Sequence, residues 1–186
     1  MWPLPIWRPV SRSPDILAGV KAIPLPAPVE GRIRSTSAAA TQRIGRRLGR
    51  AAQPGTCLAL VGSLGAGKTQ LAKGVARGLG VPGVVNSPTF IIVNEHAGRL
   101  PLFHVDAYRL TDADEARQAG VFDERQADGV TVIEWADRLE GWLPADHLQI
   151  DIIADPSEPN LRVLRWRAAG PRHRDLSRVL EDGESR

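Results

Sequence analysis

The chain has one cysteine in 186 residues and no long apolar run. Because Cys57 has no second cysteine to pair with, an internal disulfide is excluded and a reducing compartment is expected. Cys57 lies in an apolar stretch, which favours a small buried side chain over a reactive thiol. No apolar segment approaches the roughly 20 residues of a bilayer-spanning helix, and the first residues lack the features of a secretory signal. We therefore expect a cytoplasmic protein without a membrane partner.

Lysine is also scarce, since only Lys21, Lys68 and Lys73 occur and arginine supplies the remaining positive charge. The net charge of +3 is modest, and the isoelectric point is near 9.6. Two arginine clusters, at 43–50 and 162–174, motivate the hypothesis of a direct RNA contact that weakens steeply with salt. For the first cluster the alternative is an ordinary solvated helix face.

Strand patterns alternate with helical patterns along the chain, as in an α/β domain with three layers. One domain is expected over residues 23–186, preceded by a poorly ordered extension at 1–22. Strands are predicted at 56–61, twice within 88–110, and at 130–134, 147–153 and 161–168. Helices are predicted after N-cap candidates at 35–37 and at 68–79, 112–119 and 172–180. This alternation predicts a mainly parallel, partly mixed β-sheet.

The stretch "GSLGAGKTQ" follows the first predicted strand and matches the phosphate-loop pattern G-x-x-x-x-G-K-[ST]. Its glycines allow successive backbone N–H groups to turn inward, and the following helix N-terminus adds positive potential. Lys68 supplies a compact ammonium for the β- and γ-phosphates, and Thr69 supplies a hydroxyl for Mg²⁺. The alternative is a turn with an incidental lysine. The pattern predicts a P-loop NTPase domain.

Nucleotide-binding residues are therefore predicted along the whole loop, and they are Gly62, Ser63, Leu64, Gly65, Ala66, Gly67, Lys68, Thr69 and Gln70. ATP is favoured over GTP as the ligand, because the guanine-recognising N-K-x-D element is absent from the sequence.

Two acids end apolar strands: Asp106 in "LPLFHVD" and Glu134 in "VTVIE". Ligands of parallel α/β sheets bind beyond the carboxyl ends of the strands, where these side chains are expected. A turn or a helix cap is the alternative role for either acid. Hydrolysis needs a carboxylate on the metal side and a group that positions water. Spacing alone does not assign the two roles.

Four segments, "GSLGAGKT", "NSPTF", "FHVDAYRL" and "VIEWADRL", occur in an order and at separations that resemble the TsaE (YjeE) family of small bacterial ATPases. The resemblance covers residues 23–167 and implies a role in the synthesis of threonylcarbamoyladenosine in tRNA. It also implies binding to the transferase subunits TsaD and TsaB, whose turnover ATP hydrolysis supports. The chain departs from the family at Ser63, where most members carry an acid, and in its N-terminal extension.

The family's roles transfer to matching positions in this sequence. The resemblance implies that Lys68 holds phosphates and takes part in catalysis, and that Thr69 ligates Mg²⁺. Glu134 would be the carboxylate on the metal side, acting directly or through water. Asp106 would be the catalytic base or the residue that orients water.

The same resemblance implies roles for Trp135 and the segment 87–89, and the roles of His104 and Arg109 stay open. Trp135 would lie beside the nucleotide, with core packing as the alternative. The segment 87–89 would face the γ-phosphate, with an ordinary Ser-Pro turn as the alternative. His104 is a secondary candidate, because a single histidine in a strand is more often structural. Arg109 would either stabilise charge in the transition state or form a surface ion pair.

Three functions are compatible with these residues: an ATPase accessory subunit, a small-molecule kinase, and a nucleotide-gated binding module without catalysis. A kinase usually needs a lid and an acceptor pocket, and no arginine-rich lid segment lies between the motifs. The two strand-end acids argue against a module that only binds. The ATPase is therefore the leading hypothesis.

Overall fold

Strands and helices alternate along the part of the chain that the computed structural model describes, residues 29–88, 92–139 and 141–181. The extension expected at 1–22 lies outside the described residues. The strands are β1 (Val29–Ser35), β2 (Thr56–Val61), β3 (Val93–His96), β4 (Leu102–Asp106), β5 (Val130–Glu134), β6 (Leu148–Ala154) and β7 (Arg162–Ala168). The α-helices are α1 (Ala38–Ala51), α2 (Lys68–Gly78), α3 (Ala113–Gln118) and α4 (Pro171–Glu181), and two 3₁₀ helices span Glu124–Asp128 and Ala136–Leu139.

The seven described strands form one sheet in the order β1-β7-β6-β2-β5-β4-β3. The neighbours β6, β2, β5 and β4 run parallel, while β3, β7 and β1 pair antiparallel with their neighbours. The parallel strands β2, β4 and β5 are almost entirely buried, as expected for strands with structure on both faces. The predicted α/β class with a mixed sheet, parallel at its centre, is confirmed.

Helices α1, α2 and α4 cover one face of the sheet, and their leucines share one core with β2, β6 and β7. The other face carries α3 and the 3₁₀ helix Ala136–Leu139 over β2, β4 and β5. Beyond them the outer face of β6, β7 and β1 carries exposed arginines at 32, 165 and 167 and the exposed Ile153. No helix among the described residues has the length and apolarity to cross a bilayer.

Helices α1 and α2 pack closely because glycines line their contact. A Cβ atom at Gly45 would overlap the carbonyl oxygen of Leu71, and one at Gly74 would overlap that of Gln42. Backbones that approach this closely leave no room for side chains between them. The position of α1 is thereby fixed against the helix that follows the phosphate loop.

Candidate functional site

The phosphate loop joins β2 to α2 and takes backbone conformations that favour glycine. Gly62 has φ +152°, and a Cβ atom there would lie 2.6 Å from the carbonyl oxygen of Ile152. Gly67 has φ +115° and stands at the N-cap of α2, where no side chain caps the helix. The first N–H groups of α2 are therefore available to an anion, as in other helix N-terminal phosphate sites.

Lys68 lies inside this loop, with only 4% of its surface exposed. Its Nζ donates to the carbonyl oxygen of Gly62 at 2.5 Å and to that of Ser63 at 2.9 Å. The same Nζ lies 3.4 Å from the ring centroid of Trp135, a cation–π contact. Burial lowers the pKa of Lys68, although the nearby carboxylates of Glu134, Asp137 and Asp106 act in the opposite direction. The loop thus holds the ammonium in a defined place.

Trp135 follows the last residue of β5 and has φ +58°, a conformation that is unusual for a residue other than glycine. Its ring centroid lies 4.9 Å from that of Tyr108, and the ring planes are tilted by 52°. Trp135 therefore lies at the site, and it also packs, partly buried, against the core on that face of the sheet. Tyr108 is 51% exposed and was not predicted as a site residue; its closeness to Trp135 depends on the alignment of β4 with β5.

A hydrogen-bonded chain of three residues connects the loop to two strands. The Thr69 hydroxyl donates to Glu134 Oε2 at 2.8 Å, and His104 Nε2 lies 2.8 Å from Glu134 Oε1. Both His104 and Glu134 are buried. His104 Nδ1 is buried and finds no hydrogen-bond partner within the described ranges. His104, a secondary candidate in the sequence, is thus a direct neighbour of the predicted metal-side carboxylate.

Both acids lie at the ends of parallel strands as expected, and Asp106 is the register partner of Glu134, so the two strands are adjacent. The Ser87 hydroxyl donates to Asp106 Oδ2 at 2.8 Å, and the backbone N–H of Tyr108 donates to Oδ1 at 3.1 Å. Asp106 is 8% exposed and lines the cavity described below, so its side chain stays accessible to solvent. Its carboxylate is oriented by a donor to each oxygen.

One cavity of about 500 Å³ brings most of these groups together. Its lining consists of Leu64, Gly65, Gly67, Lys68, Thr69, Gln70, Ser87, Asp106, Tyr108, Glu134 and Trp135. Leu64 at the loop tip is 89% exposed.

Some predicted residues lie elsewhere. Gly62 and Ser63 meet the Lys68 ammonium through their carbonyl oxygens, and Ala66 is buried with its N–H bonded to the Ser63 carbonyl oxygen at 3.1 Å. Arg109 is exposed and does not line the cavity. Thr89 of the segment 87–89 lies outside the described residues.

A second cavity of about 250 Å³ lies on the other side of the loop and shares Gly65, Gly67 and Gln70 with the first. The N-terminus of α1 and the turn before β7 form its far wall, with Ser37, Ala38, Thr41 and Asn160 in the lining. Arg162 secures this wall, since its Nε donates to the Ala66 carbonyl oxygen at 2.9 Å. Nothing in the local sequence pattern predicts this second cavity.

Comparison with known proteins gives a consistent result. Residues 35–162 match the family model described as threonylcarbamoyl adenosine biosynthesis protein TsaE. A Bacillus subtilis protein named tRNA threonylcarbamoyladenosine biosynthesis protein TsaE is 38% identical over 148 residues, which are 79% of this chain and 91% of that protein. A Treponema pallidum protein of the same name is 41% identical over 110 residues, 59% of this chain and 82% of that protein. The crystal structure of Bacillus subtilis YdiB superposes with a TM-score of 0.68 at 34% identity, covering 85% of this chain and 98% of that one.

Proposed function

This chain belongs to the TsaE family of tRNA threonylcarbamoyladenosine biosynthesis, and from that premise we propose that it binds and hydrolyses ATP with Mg²⁺. The observation that carries this proposal is the cavity in which a phosphate loop meets two carboxylates on adjacent strands. Such a loop binds a triphosphate, while hydrolysis needs both a metal-side acid and a group that positions water.

The triphosphate is held by the loop and by Lys68. The ammonium is already bound to two loop carbonyl oxygens, so it meets the β- and γ-phosphates without a search through side-chain conformers. The cation–π contact with Trp135 further restricts the movement of the ammonium. The free N–H groups at the start of α2 supply further donors.

Thr69 and Glu134 are the residues that fit Mg²⁺. A hydroxyl and a carboxylate 2.8 Å apart are hard oxygen donors, and Mg²⁺ is usually bound through one or two carboxylates together with substrate phosphates. When bound, the ion would neutralise charge on the phosphates. His104 orients Glu134 through its hydrogen bond to Oε1, the carboxylate oxygen that Thr69 does not use.

Asp106 positions the attacking water. Its carboxylate lies at the rim of the cavity and one strand away from Glu134, so the two acids do not compete for one role. Ser87 holds the carboxylate through one oxygen and is the first residue of the segment 87–89. A change in this segment on hydrolysis would therefore act directly on Asp106.

The nucleotide base occupies the second cavity in this proposal. That cavity continues from the loop through Gly65, Gly67 and Gln70, on the side opposite the two acids. Asn160 and Ser37 offer polar groups in its wall, and Ala38 leaves room between them. A purine with its ribose would then run from the loop past Gln70.

As a family member, the protein would act as an accessory subunit that supports turnover of the TsaD–TsaB transferase. The test is ATP hydrolysis by the purified chain, alone and with the transferase subunits. We expect a slow basal rate that rises when both subunits are present. Rapid hydrolysis that the subunits leave unchanged would exclude the accessory role, and phosphorylation of a metabolite would indicate a kinase.

A further inference from the structure

One long segment of this chain carries basic residues and no acidic residue. Residues 31–94 contain nine Lys and Arg and no Asp or Glu. Helices α1 and α2 both fall in this range, so the helical layer over the sheet has no carboxylate of its own in these two elements. A surface built only from cations attracts polyanions.

Helix α1 presents its arginines as one continuous row. Positions 43, 46, 47 and 50 are spaced at i, i+3, i+4 and i+7, which places them on a single face. Three of them are exposed and Arg47 is half-buried. The opposite side of α1 carries Ile44 and Leu48 into the core, so the row faces outward.

The glycine contact between the helices joins this row to the cations of α2. The Cβ position of Gly78 lies 2.8 Å from the backbone nitrogen of Arg50, and Arg77 donates a hydrogen bond to the side-chain oxygen of Gln42. Lys73 lies one turn before Arg77 on α2. We name this surface the basic ridge, which consists of Arg43, Arg46, Arg47, Arg50, Lys73 and Arg77.

The charges of the basic ridge are not neutralised by ion pairs with the described residues. Within the described part of the chain, no carboxylate lies within 4.0 Å of a charged nitrogen of these six residues. Six neighbouring cations repel one another, and an anionic partner would relieve this repulsion.

The surroundings of the ridge favour a nucleic acid over a protein. Protein interfaces have a buried core rich in aromatic and other large apolar side chains. The large apolar side chains exposed on the described surface are at 64, 84, 108, 122, 142 and 153, none of them on α1 or α2. A row of exposed cations without apolar anchors suits the regularly spaced phosphates of an RNA backbone.

We propose that the basic ridge binds the sugar–phosphate backbone of RNA, as a contact surface separate from the nucleotide cavity. The proposal depends on the charge layout and does not require ATP hydrolysis. A tRNA transcript is the natural probe, because the family acts in tRNA modification. Backbone contacts predict affinity with little base preference and a steep dependence on salt.

The test is fluorescence anisotropy of a labelled tRNA transcript with the full chain between about 50 and 300 mM KCl. The variant Arg43→Gln/Arg46→Gln/Arg50→Gln removes the exposed row while keeping good helix formers. The control Arg32→Gln/Arg165→Gln/Arg167→Gln removes the same charge from the outer face of β1 and β7, on the other side of the sheet. Thermal melts check that both variants fold.

We expect the ridge variant to bind at least about tenfold more weakly at low salt, with a salt slope smaller by about 0.9 for each lost phosphate contact. The control should change affinity by less than about threefold. Three results would overturn the proposal: no binding by the unmodified chain at low salt, equal losses in both variants, or full binding by the ridge variant. Polyglutamate, titrated in parallel, represents an acidic protein. If the ridge variant lost polyglutamate binding but kept tRNA binding, the proposal would be overturned and the surface would instead be a site for acidic protein.

Discussion

His104 Nε2 lies 2.8 Å from Glu134 Oε1, and the two residues belong to adjacent parallel strands. Since the other Glu134 oxygen accepts from Thr69, the histidine fixes the orientation of the carboxylate that we assign to the metal side. We therefore assign His104 a positioning role, and its removal should affect metal dependence more than nucleotide binding.

We predict that His104→Gln raises the Mg²⁺ concentration for half-maximal hydrolysis by about tenfold or more, the usual effect of removing a residue that orients a metal ligand. ATP binding without Mg²⁺ should stay the same. The control is His147→Gln, a change at a half-buried histidine that does not line the cavity. An unchanged Mg²⁺ profile in a folded His104→Gln protein would remove this residue from the site.

Asp106→Asn tests the positioning of water. The asparagine keeps the size of the side chain but loses the charge, so we expect the hydrolysis rate to fall by about 100-fold or more while ATP affinity changes little. Single-turnover hydrolysis and calorimetry separate the two effects. Asp114→Asn, at an exposed acid of α3, is the matched control and should keep the full rate. A normal rate for Asp106→Asn would show that Asp106 has no part in the reaction.

The position of the base can be tested in the second cavity. Ala38→Phe fills the space and Asn160→Ala removes a polar group from its wall. Loss of one hydrogen bond corresponds to about a two- to tenfold lower ATP affinity, and filling the cavity should cost more. Tripolyphosphate has no base, so its binding should be equal in all variants. Equal ATP affinities, with tripolyphosphate binding retained, would place the base elsewhere.

A buried histidine should make stability depend on pH. The Cys57 N–H donates to His173 Nε2 at 2.9 Å, and His173 Nδ1 lies 2.5 Å from Asp146 Oδ1. Burial lowers the pKa of His173 from its ordinary value of 6.5, although Asp146 acts in the opposite direction. Below that value the unfolded chain binds a proton that the folded chain excludes. The stabilising contribution of His173 to the free energy of unfolding is therefore fully present above about pH 6.5. It decreases as the pH falls below that value, by at most about 1.4 kcal/mol per pH unit.

Urea unfolding at pH 7.5, 6.5 and 5.5 measures this effect. We expect His173→Gln to be less stable at pH 7.5, by about 1–3 kcal/mol, because two hydrogen bonds of the imidazole are disturbed. The same variant should lose less stability than the unmodified chain on acidification. His147→Gln should keep most of the original pH dependence, because the charge of His147 is the smallest of the causes that shift the pKa of His173. A His173→Gln protein with the same pH dependence would contradict the assignment.

Local patterns were sufficient for the elements that carry the nucleotide site. The apolar run of β2, the glycines of the loop and the helical spacing of α2 are all short-range signals, and the observed bounds follow them closely. The N-cap Ser37 of α1 was likewise among the predicted candidates. Strand β1 was not predicted, because "VEGRIRS" is defined as a strand by its antiparallel pairing with β7, more than 100 residues later in the chain.

Contacts within the site depend on strand register, and no single-sequence pattern contains that information. The sequence indicated that His104 faces away from Phe103 and Val105, but not that it meets Glu134, 30 residues later. The contact of Lys68 with Trp135 requires an unusual backbone conformation at Trp135. The roles of the predicted catalytic, nucleotide and metal residues stay predictions.

Calorimetric titration with ATP–Mg²⁺ is the most direct measurement, using the unmodified chain, Lys68→Met and the matched control Lys73→Met. Both lysines lie on α2, but only Lys68 lines the cavity. We predict saturable binding with thermal protection in the unmodified chain and in Lys73→Met, and an affinity about 10- to 100-fold lower in Lys68→Met, as expected for a lost charge-assisted hydrogen bond. Folded unmodified protein that gives neither heat nor protection, or Lys68→Met that binds normally, would contradict a nucleotide site in this loop.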